Sequence, residues 1–148
     1  MTHYIPTEEE KNMISMVLPR PHLEQTLSQM RSFVPNGWDI VVEADVSVLD
    51  NFWKNCDRNC YINANNIPGD FINDYGVRKY VCSKMDMIAG KVKRPSIVRG
   101  DFRIKTRCIG FEDGHTRFAV LRDAGVRTIP IQIRKSQLNK FKELGLIV

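Results

Sequence analysis

Several features that would assign this chain to a special class are missing from its sequence. No apolar run approaches the ~20 residues that a membrane-spanning helix requires, so we expect no membrane partner. The first residues, MTHYIPTEEEK, are acidic rather than basic and apolar, which does not match a secretion signal. We find no internal repeat, no low-complexity segment and no Pro/Ser/Gly-rich linker. These absences predict a cytoplasmic protein whose residues 1–148 fold as a single domain.

Cysteine and histidine are scarce, with four and three residues, and nothing indicates an oxidising compartment. We therefore expect reduced thiols. Cys56 and Cys60 have the spacing of half a zinc site, but no second Cys/His pair follows at ligand spacing, which disfavours zinc. Cys82 and Cys108 fall in apolar-patterned segments, so we expect both in the core.

The charge is distributed unevenly along the chain. Its 148 residues are 43% hydrophobic and 26% charged, which is ordinary for a globular protein, and the net charge is +5. Residues 1–50 hold three basic and eight acidic side chains, whereas residues 51–148 hold 19 basic and nine acidic ones. The second part is therefore strongly basic, which favours a polyanionic partner.

The basic side chains are densest in residues 91–107, where seven of them surround one acid, Asp101. Three arginines of this stretch, Arg94, Arg99 and Arg103, are candidate contacts for nucleic acid. The alternative is a solvated basic face, which is how charge runs are often used.

The amino-terminal part carries signals for two helices. Thr7 and Glu10 form a capping box, which predicts a helix running to about Met16. Apolar residues recur at helical spacing over residues 23–34 and predict a second helix.

A long strand and a loop are predicted next. Residues 38–48 alternate between apolar and polar side chains, as a strand does. The stretch 51–74 is rich in Asn, Asp and Gly, which indicates mainly loop, with a candidate short strand at residues 60–62.

The rest of the chain alternates strands and helices. Residues 77–88 carry one apolar helical face, and Gly90 is a natural stop. Ser136 is positioned to cap a final helix that ends at Gly145. The order of elements predicts an α+β fold, a small mixed sheet with packed helices. Within it we separate an amino-terminal extension (1–75), a core (76–135) and a carboxy-terminal helix (136–148).

The most informative segment is GFEDGHTRFAVLRDAGVRTIPIQI, residues 110–133. It predicts a strand, a turn at Gly114, a helix from Thr116 to Ala124, a stop at Gly125 and a second strand. A helix that begins directly after a glycine turn presents backbone N–H groups and the positive end of its dipole to an anion. Residues 114–117, Gly-His-Thr-Arg, are therefore a candidate phosphate cradle.

Arg117 is the best single candidate in the cradle. A guanidinium two positions into a helix can fold back over the helix terminus and bind two phosphate oxygens. The alternative is a surface arginine that pairs with Glu112 or Asp123. Gly114 permits close backbone approach, or is a plain turn glycine, and Thr116 can donate its hydroxyl to a ligand or cap the helix.

Residues 114–121, with Gly125 and the Ile-Pro-Ile run at 129–131, resemble the ParB/sulfiredoxin superfamily. The upstream runs Met-Ile-Ala-Gly (87–90) and Arg-Pro-Ser-Ile-Val (94–98) are similar to the helix and strand that precede this core in that superfamily. The resemblance covers about residues 77–135. It implies a ParB/sulfiredoxin-like fold, a phosphate-binding role, and a context in phages or other mobile elements.

The resemblance also makes a prediction about the chemistry of the residue at position 115. Sulfiredoxin-like members have a cysteine at this place and ParB-like clamps a glutamate, so sulfur chemistry is not expected here. His115 can instead donate to a phosphate or act as a general acid or base, or it is simply a hydrogen-bonded structural histidine. A complete partition clamp is also not expected, because such clamps continue with further DNA-binding and dimerisation parts.

Glu112 and Asp113 precede the cradle and are candidate catalytic groups and Mg²⁺ ligands, although two acids at a turn are also unremarkable. Two hypotheses follow. The first is a Mg²⁺-dependent enzyme that hydrolyses or transfers phosphate from a nucleotide such as ATP or CTP, or cleaves nucleic acid. The second is a non-catalytic nucleotide- or nucleic-acid-binding regulator or counter-defence protein of a mobile element. A second copy of the chain is a further candidate partner.

Overall fold

A computed structural model of the chain describes residues 5–56, 61–62, 74–91, 97–103 and 107–148. These residues form an α+β fold with six α-helices and four strands. In chain order the elements are α1 (Glu8–Ser15), α2 (Arg20–Arg31), β1 (Asp39–Asp45), α3 (Val46–Lys54), α4 (Asp74–Ala89), β2 (Val98–Arg103), β3 (Cys108–Asp113), α5 (His115–Asp123), β4 (Thr128–Arg134) and α6 (Leu138–Glu143). None of the described helices combines the length and the apolar composition that a bilayer span requires.

The four strands form one mixed sheet in the order β1-β4-β2-β3. β1 is antiparallel to β4, β2 is parallel to β4, and β2 is antiparallel to β3. This order brings the start of β1, the start of β2 and the end of β3 to one end of the sheet, beside the end of β4. The turn into α5 therefore lies at this same sheet end.

The core lies on one face of the sheet. Ile129, Ile131 and Ile133 of β4 lie two residues apart, so they share one face of the strand, and all three are buried. α5 packs its buried residues Phe118 and Leu121 into the same hydrophobic cluster. Helices α1 and α2 contribute to this cluster as well, so the amino-terminal extension shares the core of the rest of the chain.

Local sequence signals explain several helix boundaries. The Thr7 hydroxyl accepts from the Glu10 N–H and the Glu10 carboxylate accepts from the Thr7 N–H, which confirms the predicted capping box. Gly90 and Gly125 follow α4 and α5 with φ of 66° and 83°, the left-handed conformation that ends a helix. The structure therefore confirms both predicted stops.

The long strand predicted for residues 38–48 is wrong at its end, because β1 stops at Asp45 and α3 begins at Val46. The Asp45 carboxylate accepts from the Val48 N–H at 3.0 Å and so caps the new helix. The loop predicted for 51–74 is wrong at both ends, since α3 runs to Lys54 and α4 begins at Asp74. Tyr61 and Ile62 do not form the short strand, and Cys60 lies outside the described residues.

One other boundary differs from prediction. Ser136 does not cap the last helix but lies within a 3₁₀ helix, Lys135–Gln137, that precedes α6. β3 begins at Cys108, directly after Arg107, whose φ of 50° interrupts the extended backbone. Gly145 does follow α6 with a positive φ of 74°.

The cysteines also differ from prediction. Cys56 and Cys108 are joined in a disulfide, so they are not reduced thiols, and Cys56 is not available as a zinc ligand. The reason is tertiary, because α3 packs against β3 and brings the two Cα atoms to 5.0 Å. Cys82 is a free thiol, but it is exposed rather than core, since Tyr80 and Lys84 occupy the buried face of α4.

Candidate functional site

The turn into α5 requires a glycine. Gly114 is the N-cap residue with a φ of 87°, and no side chain caps the helix. A Cβ added at Gly114 would lie 3.1 Å from Nη2 of Arg117 and 3.2 Å from the carbonyl oxygen of Ile97. The backbone at Ile97 therefore lies close to Gly114, at the start of α5. The first N–H groups of α5 have no acceptor within the helix.

Arg117 folds back over this helix terminus. Its side chain is 28% exposed, and Nη2 lies 3.4 Å from Oδ2 of Asp113. Its Nε is buried and has no hydrogen-bond partner among the described residues. The guanidinium therefore lies beside the N–H groups of the first turn, with an exposed carboxylate as its ionic partner. Its ionic partner is therefore Asp113, and not Glu112 or Asp123 as the surface-pair alternative predicted.

His115 is half-buried at the start of α5. Burial lowers its pKa below the ordinary value of 6.5, the nearby Lys79 lowers it further, and Asp113 opposes the shift. The neutral imidazole is therefore favoured, and it can either donate or accept a hydrogen bond. Its ring lies 6.4 Å from the ring of Trp53, which is fully buried.

Lys79 is a site residue that the sequence did not single out. It lies on α4, which packs against α5, and it contributes to the electrostatic field at His115. With Arg117 it gives this helix terminus two cationic side chains from two different helices. The sequence contained no local signal for Lys79, because only the packing of α4 on α5 brings it here.

Thr116 is 7% exposed. A side chain so covered offers little hydroxyl surface to a ligand. Its contribution to an anion site would therefore come from the backbone N–H, which belongs to the first turn of α5.

Glu112 and Asp113 are the last two residues of β3, and consecutive strand residues point to opposite faces of a sheet. Glu112 pairs with Arg99 at 3.1 Å, whereas Asp113 pairs with Arg117. The two carboxylates therefore do not converge, an arrangement that does not fit a Mg²⁺ held by both. No cluster of three or more metal-ligating side chains occurs within the described ranges.

Of the other three predicted arginines, Arg99 is the one whose side chain the structure describes. Arg99 bridges Glu112 and Asp39, whose Oδ2 lies 3.4 Å from Nη2 of Arg99. Asp39 is 9% exposed and also accepts from the Gln132 side chain, so a polar row crosses all four strands. Arg103 ends β2, but its side chain lies outside what the structure describes, as does all of Arg94.

The aromatic residues separate into two groups. Trp53 is completely buried and contacts Tyr61, Phe111 and Phe118 edge to face, so it belongs to the core beneath the cradle. Trp38, by contrast, is 86% exposed beside the start of β1. Phe71 lies outside the described residues.

A scan against family models, a search of curated proteins and a search of solved structures each found no match to this chain. The resemblance to the ParB/sulfiredoxin superfamily therefore stays a prediction from residues 77–135.

Proposed function

We propose that this chain is a phosphate-binding, ParB-like domain whose ligand is a nucleotide or a nucleic-acid phosphodiester. The observation that carries the proposal is the position of Arg117, whose guanidinium covers the N-terminus of α5 directly above Gly114. A guanidinium and backbone N–H groups that point into the same space form a site for an oxyanion.

The charges around the site support an anionic ligand. Lys79 and Arg117 both disfavour a proton on His115, so the ring adds hydrogen-bonding capacity without a third full charge. Asp113 is 82% exposed and its pair with Arg117 is long, at 3.4 Å. Such a pair contributes little to stability, so a phosphate can displace the carboxylate at small cost.

We further propose that the domain catalyses a reaction of the bound phosphate. A half-buried neutral histidine beside a phosphate can take a proton from an attacking water or hydroxyl, which assigns the general-base role to His115. Because Glu112 and Asp113 do not converge on one point, no step of this reaction runs through Mg²⁺. A binding regulator without turnover is the second candidate, favoured by the separate ion pairs that hold Glu112 and Asp113.

Calorimetric titration tests the site. The full chain is titrated with ATP, CTP, a short single-stranded oligonucleotide and inorganic phosphate, each with and without Mg²⁺. We expect Arg117→Ala to weaken binding about tenfold or more, the effect of losing one charge-assisted contact. The matched control is Arg127→Ala, which removes an exposed arginine that lies beyond the end of α5, directly before β4. Equal affinity in wild type and Arg117→Ala would overturn the proposal.

Product analysis then separates the enzyme from the binding regulator. The same ligands are incubated with wild type and with His115→Gln, and nucleotide and oligonucleotide products are resolved by chromatography. Products that disappear in His115→Gln support turnover, and binding without products supports the regulator.

A further inference from the structure

A ligand-sized cavity lies at the opposite end of α5 from the phosphate cradle. Its volume is about 780 Å³, which is in the range of small-molecule sites. Helix α1, the segment that follows it, α4 and the end of α5 line it, and it is open to solvent on one side. Because α5 has nine residues, the two ends are roughly 12 Å apart, and the cavity is separate from the cradle.

The cavity is mainly apolar and contains few charged groups. Apolar side chains from three of its walls are Ile14, Leu18, Val120 and Ala124. The charged side chains are Lys11, Lys84 and Asp123. Lys11 is 43% exposed and pairs with Glu8, so Lys84 and Asp123 are the charged groups held within the protein.

Lys84 is an unusual cavity residue because it is only 5% exposed. Its Nζ donates a hydrogen bond to the carbonyl oxygen of Ile14 at 2.7 Å, which holds the amine against the end of α1. Burial lowers the pKa of this amine, and Asp123 opposes the shift. A neutral amine can donate this hydrogen bond and still keep its lone pair for attack on an electrophile.

Asp123 is a fixed proton acceptor in the same cavity. Its Oδ2 accepts from the Tyr80 hydroxyl at 2.7 Å, and its Oδ1 accepts from Nε of Arg122 at 3.0 Å. These two contacts hold the carboxylate in place and leave lone pairs for a further donor. A buried lysine and a fixed carboxylate inside an apolar cavity are the groups that carbonyl chemistry requires.

We propose that this cavity binds a small apolar aldehyde or ketone, which Lys84 captures as an imine. The lone pair of Nζ forms a bond to the carbonyl carbon, and the carbonyl π electrons move to oxygen. One amine proton passes to that oxygen through Asp123, which gives a neutral carbinolamine. Loss of the hydroxyl with a second amine proton releases water and leaves the carbon–nitrogen double bond. No oxidant or reductant takes part.

Reductive trapping tests the proposal. The full chain is incubated near pH 7 with benzaldehyde and sodium cyanoborohydride, which converts an imine into a stable secondary amine. Peptide mass mapping measures the rate at each lysine. We expect Lys84 to be modified measurably faster than the exposed Lys140, because burial lowers the pKa of Lys84 and so raises the fraction of its amine that is neutral.

Three variants locate the reaction. Lys84→Arg keeps a hydrogen-bond donor that can reach the Ile14 carbonyl, and it should lose the fast modification, whereas Lys11→Arg should retain it. Ala124→Leu fills part of the cavity and should slow the reaction at Lys84 without changing that at Lys140. Modification of Lys84 no faster than Lys140, or a rate insensitive to Ala124→Leu, would overturn the proposal. The wild-type comparison and Ala124→Leu decide the matter even if Lys84→Arg does not fold, and neither depends on the phosphate cradle.

Discussion

Arg122 Nη1 lies 2.9 Å from Oδ1 of Asp50, although the two residues are 72 positions apart. The Arg122 side chain is 7% exposed, its Nε contacts Asp123, and its guanidinium lies 5.8 Å from the ring centroid of Trp53. This contact fastens the end of α5 to α3 across the core. It joins the helix that carries both proposed sites to an element that the sequence did not predict.

Arg122→Met should therefore be strongly destabilising. The substitution leaves two largely buried carboxylates without their cation, and breaking a buried pair in this way costs about 3–5 kcal/mol. Urea unfolding at neutral pH measures the change. Arg20→Met is the control, because the Arg20 side chain is 87% exposed and its ion pair with Glu24 is worth less than about 1 kcal/mol. Similar losses in both variants would contradict the structural role of Arg122.

Gly114→Ala should lower the free energy of unfolding by about 1–3 kcal/mol, because an L-residue at a φ of 87° is strained. The new methyl group would also meet the Ile97 carbonyl oxygen at 3.2 Å. Thermal and urea unfolding measure the loss. Gly37→Ala provides the comparison, since nothing lies within 4 Å of its added Cβ, and we expect a change within about 0.5 kcal/mol. A tolerated alanine at Gly114 would mean that the tight turn is not required.

The stability of the protein should depend on the protonation of His115. Its pKa in the folded state is below 6.5, so the unfolded chain binds the proton more tightly. The free energy of unfolding should fall as the pH drops below about 6.5, until the pH is below the folded-state pKa. His115→Gln removes this contribution, so its unfolding curves between pH 7 and pH 5 should change less than those of wild type. Parallel pH profiles would refute the burial of the imidazole.

Two tyrosines donate hydrogen bonds to carboxylates but differ in burial, so the cost of losing each hydrogen bond can be compared. Tyr80 is fully buried and donates to Asp123 at 2.7 Å, whereas Tyr61 is half-buried and donates to Asp50 at 3.2 Å. Tyr80→Phe should cost about 1–3 kcal/mol, since it leaves a covered carboxylate oxygen without its donor. Tyr61→Phe should cost less, and chemical unfolding of the two variants compares them. The reverse order would show that burial does not set the strength of these contacts.

Elements with local signals were the predictable part of the fold. The Thr7 hydroxyl and the Glu10 carboxylate fix the start of α1. In β4, isoleucine occupies every second position from 129 to 133, and all three isoleucines are buried. Val46 and Val48, however, fit both a strand and a helix. The Asp45 cap and the helical spacing of Val46, Leu49 and Trp53 decide in favour of α3. Residues 38–48 also alternate between apolar and polar side chains, and this alternation led to the prediction of a strand instead of a helix.

The sequence predicted only those residues of the candidate site that are adjacent in the chain. Residues 114–117 are neighbours in the chain, so the turn and the first helical residues follow from their order. Lys79 reaches the site only because α4 packs against α5, and Asp39 meets Arg99 only because of the strand order. Such contacts depend on tertiary packing, which a single sequence does not encode locally.

The link between Cys56 and Cys108 has a consequence for the connectivity of the whole molecule. These residues are 52 positions apart, so the sulfur bond closes the intervening chain, with α4 and β2, into a macrocycle. A protease that cuts once inside the macrocycle leaves one covalent molecule, which migrates as a single band on a denaturing gel. A thiol then separates it into two fragments, whereas a cut outside the macrocycle releases a fragment with or without the thiol.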